Sequence, residues 1–107
     1  CEKYNIETIV SGNTLSESST VDGIQRLSMP TGGMAGAGLL DIAVEQFVRL
    51  KALNDSRSVP RSLIGCGGVM NPYGIKHYQE VGATDVALAT YFWEFGVKGV
   101  QELLIAL

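Results

Sequence analysis

Apolar and β-branched residues in this chain come in short blocks separated by glycine-rich or polar breaks, and the kind of block alternates. Residues 7–11, Glu-Thr-Ile-Val-Ser, are rich in β-branched side chains and stop at Gly12, which predicts a strand. Residues 39–53 place Leu40, Ala43, Val44, Phe47 and Leu50 on one face, with Glu45, Arg49 and Lys51 mostly outside. That is the period of an amphipathic helix, and Asn54-Asp55-Ser56 ends it. A second strand follows Pro60, running through Ser62-Leu63-Ile64-Gly65-Cys66 into Gly67-Gly68. Asn71 as N-cap and Pro72 as first helical residue open another helix, which closes near Gly82. Residues 85–89 are almost continuously apolar and predict a buried strand. Residues 91–94 suit a short extra turn, and Val97, Val100, Leu103, Leu104 and Leu107 give the face of a final helix.

Strand and helix signals alternate three times, which predicts an α/β domain of about three βα units with a parallel sheet and crossover helices. Residues 13–38 remain as a long connection rich in Ser, Thr and Gly. Loops beyond about fifteen residues are usually lids or ligand-binding segments. The run at residues 16–20 reads as mobile loop, its part in any substrate lid left open.

At 107 residues the chain is one domain at most, and a closed α/β barrel needs roughly 200 or more. The first residue is Cys1 and a strand follows almost at once, so we expect further sequence upstream. No apolar run approaches the roughly eighteen residues of a spanning helix, so no membrane segment is expected. Net charge is −3 and the eight Lys and Arg are scattered, which argues against nucleic acid as a partner. Cys1 and Cys66 form neither a disulfide framework nor a metal motif, which fits a reducing, cytoplasmic compartment.

The chemistry-bearing residues cluster at strand ends. An apolar strand emptying into Gly67-Gly68, then a helix, then a strand closing on Ala89-Thr90, is the layout of a barrel phosphate site. Glycine lets backbone N–H groups reach phosphate oxygens that a side chain would hold off. Gly32-Gly33-Met34-Ala35-Gly36 stands before a helix start, where backbone amides and the dipole favour negative charge; its plainer reading is a flexible entrance to the helix. Asn13-Thr14, just past a strand end, can bond a carboxylate or ring amide, or can be an ordinary turn. A dinucleotide fingerprint is excluded, because Met70 stands where the third glycine belongs. Cys66 reads as a small apolar filler rather than a nucleophile. His77 reads as a solvated or packing residue. Tyr91, Phe92, Trp93 and Phe95 read as core beneath the last helix rather than a stacking platform.

The order Gly12-Asn13-Thr14, Thr31-Gly32-Gly33-Met34-Ala35-Gly36, Leu63-Ile64-Gly65-Cys66-Gly67-Gly68, Glu80-Val81-Gly82-Ala83-Thr84 and Ala89-Thr90 resembles the C-terminal half of the dihydroorotate dehydrogenase family, from about Ile6 to the chain end. The resemblance implies the C-terminal part of a (β/α)8 TIM barrel, with the units here as the sixth, seventh and eighth. It implies FMN as cofactor and oxidation of dihydroorotate to orotate in pyrimidine biosynthesis. Asn13 and Thr14 would then contact orotate, with Gly12 beside the flavin and Gly36 against FMN. Gly67, Gly68, Ala89 and Thr90 would hold the FMN phosphate, and Ala89 departs from the commoner Gly-Thr or Tyr-Ser pairs while keeping the amide. The family's catalytic Cys or Ser and its flavin-adjacent Lys have no counterpart here, so this chain alone is expected to be inactive.

Two other readings share these motifs. The flavin domain of dihydropyrimidine dehydrogenase, or a related FMN barrel, would act on a different pyrimidine. An inactive half-barrel would bind phosphate or pack on a partner, and a homo-oligomer would cover its open sheet edges. Residues 91–96 resemble the quinone-using class somewhat, which in a eukaryote implies the mitochondrial inner membrane; fumarate and NAD stay open as acceptors.

Overall fold

The β-branched and glycine-bounded blocks become strands, and the periodic blocks become helices, in the computed structural model, which describes residues 4–107. Cys1 lies outside the described residues. In chain order these form β1 (Thr8–Ser11), β2 (Leu15–Ser18), β3 (Thr20–Val21), β4 (Ile24–Gln25) and β5 (Thr31–Met34). A 3-10 turn (Ala37–Leu39) then leads into α1 (Leu40–Asp55), β6 (Ser62–Cys66), α2 (Pro72–Glu80), β7 (Asp85–Ala87) and α3 (Thr90–Ile105).

The three strands expected from the alternation pair in parallel in the order β1-β6-β7, with Ser11 opposite Gly65 and Cys66 opposite Ala87. The part of a (β/α)8 barrel expected above is not what forms. Besides this sheet there are two separate two-stranded antiparallel sheets, β2-β5 and β3-β4, and no barrel closes. Closure needs tilted strands paired all the way round. Among the described residues, β1 and β7 each pair on one side only, and the strands between β1 and α1 pair with one another instead. The architecture is a small α/β arrangement with three helices and seven strands among the described residues.

The connection expected to be a loop is therefore largely an antiparallel arm. Asp22 and Gly23 both have positive φ, 53° and 77°, as a two-residue type I′ hairpin turn requires between β3 and β4. Ser19 joins the two tiers of the arm: its hydroxyl donates to the Met29 carbonyl (2.5 Å) and its N–H to that of Pro30 (2.8 Å). Its carbonyl accepts from the Arg26 N–H (2.8 Å).

The core gathers Ala43, Val44 and Phe47 of α1, Leu63 of β6, and Ile75 and Tyr78 of α2. Phe47 and Tyr78 are fully buried and meet edge to face, ring centres 5.8 Å apart at 82°. Buried Asn54 ties the end of α1 to the start of β6: its Nδ2 donates to the Arg61 carbonyl (2.7 Å) and its Oδ1 accepts from the Arg61 N–H (2.8 Å).

Two packing expectations need correction. β7 is not buried: Asp85 is exposed and Val86 and Ala87 are half-buried, because the strand is a sheet edge. The aromatic run is not core either. Trp93 is 89% exposed and Phe92 and Phe95 are exposed, leaving only Tyr91 against the core. Gly96 (φ 66°, ψ −167°) kinks α3, and of the apolar face after it only Leu103 is buried. With just three strands in the parallel sheet, much of α3 has nothing to lie on. No helix among the described residues is long and apolar enough to cross a membrane.

Candidate functional site

Parallel strands end on the same side of a sheet, so the segments that leave them converge, and ligand sites of open α/β sheets lie at that end. Here Gly12-Asn13-Thr14 leaves β1, Gly67-Gly68 leaves β6, and Leu88-Ala89-Thr90 leaves β7. Together with Ala35-Gly36 and Leu39 before α1, they line a cavity of about 120 Å³. All eight residues assigned from the sequence, Gly12, Asn13, Thr14, Gly36, Gly67, Gly68, Ala89 and Thr90, border it. Cys66 and Met70 border it as well, while His77 does not; that ring stacks on Tyr73 at 5.3 Å and 28°.

Each wall has its own local cause. Gly67 and Gly68 carry φ of 121° and 76°, a turn that L side chains adopt only with strain. A Cβ on Gly68 would overlap the backbone nitrogen and Cα of Leu40, so the turn lies directly on the start of α1. Asn13 and Thr14 are exposed, and Asn13 Oδ1 accepts from the Thr14 N–H (2.8 Å), which leaves the Asn13 amide NH₂ to donate elsewhere. The Thr14 side chain rests against Gly33, where a Cβ would overlap it, so the antiparallel arm fixes this corner.

Among the described residues, no charged side chain borders the cavity, so any attraction for an anion would be dipolar. Ala89 caps α3 without a side-chain hydrogen bond, and Gly36 caps the 3-10 turn likewise. Both places leave first-turn N–H groups free for an anion. Among the described residues, no group of three or more His, Cys, Asp or Glu is placed to hold a metal ion.

Tyr78 is the functional neighbour that sequence reasoning missed. Its ring fills the space over Gly65, where a Cβ would overlap it, and its hydroxyl donates to the Gly67 carbonyl (2.9 Å). The available signal was Gly65 itself, since a glycine inside a strand marks a close approach. Burial, and secondarily the charge of nearby Cys66, push the Tyr78 hydroxyl up from 10.0 to about 12. The folded chain thus holds a proton that the unfolded chain loses above pH 10. Stability is expected to fall between pH 10 and 12, by on the order of 2–3 kcal/mol at about 1.4 kcal/mol per unit. Urea midpoints across that range should show the decline in the native chain and much less of it in Tyr78→Phe; parallel curves would rule it out.

No protein-family model matches this chain, and a search of curated proteins finds no match for it.

Proposed function

We propose that the cleft binds the phosphate end of FMN and that the chain serves a dihydroorotate dehydrogenase-type oxidation of dihydroorotate to orotate. What supports this reading is the convergence of residues from four separate motifs on one cavity at the ends of β1, β6 and β7. The fit to a phosphate is in the backbone. The Gly67-Gly68 turn has no side chain to hold an anion off, and the start of α3 offers N–H groups that no side chain caps. A volume of about 120 Å³ is well below the roughly 300–1,000 Å³ of pockets that enclose a whole ligand, so it suits one end of FMN.

The chemistry the group supplies when bound is acceptance of a hydride by the flavin ring. The chain's own part is to bind and orient. Gly68 and Thr90 hold the phosphate, Gly12 and Gly36 let the ligand approach the backbone, and the Asn13 amide and Thr14 hydroxyl bond the pyrimidine carboxylate or ring amide. Small molecules, FMN and dihydroorotate, are the partners this reading assigns, together with a second copy of the chain along an open sheet edge, in the cytoplasm.

Fluorescence titration with FMN and with riboflavin tests the reading. FMN is expected to bind at least tenfold more tightly, because only FMN carries the phosphate. Equal affinities, or no binding of either, would overturn it.

A further inference from the structure

The Gly67-Gly68 turn could present either its carbonyl or its N–H to the cavity, and only the N–H attracts an anion. A buried contact decides between them. The Gly67 carbonyl and the Gly68 N–H belong to one trans peptide and point in opposite directions. The carbonyl is held from below by the Tyr78 hydroxyl at 2.9 Å. We infer that Tyr78 is a positioning residue for the cleft: by holding the Gly67 carbonyl toward the core, it turns the Gly68 N–H toward the phosphate.

Tyr78 is built for that task. It is fully buried, its ring is fixed edge-on by Phe47, and it occupies the space that Gly65 leaves by having no side chain. With its pKa pushed up to about 12, the hydroxyl keeps its proton, and so donates, throughout the neutral range. Among the described residues, the Gly68 N–H has no hydrogen-bond acceptor, which leaves it to a ligand or solvent. Preorganisation of this sort lowers the cost of aligning the donor when the anion arrives.

This inference rests on the cleft being a phosphate site, and its test separates the two claims. Tyr78→Phe keeps the ring and removes only the donor. Losing one hydrogen bond's worth of alignment should weaken FMN binding by about three- to tenfold and leave riboflavin binding unchanged. A general loosening of the fold would weaken both ligands alike and would overturn the positioning role, as would FMN binding equal to that of the native chain. Failure of the native chain to bind FMN would instead remove the phosphate site itself, and Tyr78's role with it. A second measurement needs no variant. On addition of inorganic phosphate to the native chain, the Gly68 amide proton is expected to move downfield in NMR, and an unmoved Gly68 amide would contradict the orientation.

Discussion

Replacing Gly68 with alanine is expected to lower the thermal midpoint by roughly 10 °C or more and to abolish FMN binding. Two costs add at this position. The residue sits at φ 76°, where an L side chain costs about 1–2 kcal/mol. Its new Cβ would also overlap the backbone of Leu40, which cannot move aside as the end of a flexible side chain can, so the turn or the start of α1 must shift. Together these reach roughly 3 kcal/mol, and each kcal/mol moves the midpoint of a domain this size by about 4–8 °C. Gly23 is the control, since it has nearly the same φ, 77°, with nothing within 4 Å of a built Cβ. Gly23→Ala should therefore show the conformational cost alone and keep FMN binding. Similar losses in the two variants would mean that the Gly68 turn is not seated on α1.

Phe47→Ala is expected to cost about 4 kcal/mol, the range for emptying a fully buried aromatic site. Phe47 has no exposed surface and braces the ring of Tyr78, so its removal leaves a cavity between α1 and α2 that neither helix can close without moving. Urea unfolding should show a much lower midpoint. Leu104→Ala, on the exposed face of α3 (59% exposed), should change stability by no more than about 0.5 kcal/mol. If the two substitutions proved equally costly, the core would have to be centred under α3 rather than between α1 and α2.

How far the sequence could be read depended on whether a feature is decided locally. The helix Leu40–Asp55 was legible because Ala43, Val44 and Phe47 recur at helical spacing, and all three are buried. The start of α2 was legible because Asn71 and Pro72 carry their own signal, and Asn71 Oδ1 does accept from the Gly74 N–H (3.1 Å). Of the residues that line the cavity, Gly67-Gly68 and Ala89-Thr90 stood out by their pattern at strand ends, whereas Gly12 and Gly36 were named only through the family resemblance; parallel pairing of β1, β6 and β7 brings the strand-end residues to one place. The antiparallel arm was not read, although Asp22-Gly23 is a hairpin signal, because its flanks are too polar to alternate visibly. The expected part of a (β/α)8 barrel did not form, because how many strands pair and how they tilt is recorded in no single strand. The exposure of Trp93 follows from the same cause, since its burial would need a partner surface for α3. Tyr78 was missed because its role exists only once α2 lies over Gly65.

If the ends of β1, β6 and β7 form one phosphate-binding cleft, a residue-resolved NMR titration of this chain with FMN will show it at the residues concerned. The amides of Gly12, Gly36, Gly68 and Thr90 are expected to move together and saturate at a single affinity, with riboflavin reproducing little of the shift at Gly68 and Thr90. Shifts confined to the exposed aromatics Phe92, Trp93 and Phe95, with those four amides unmoved, would contradict it.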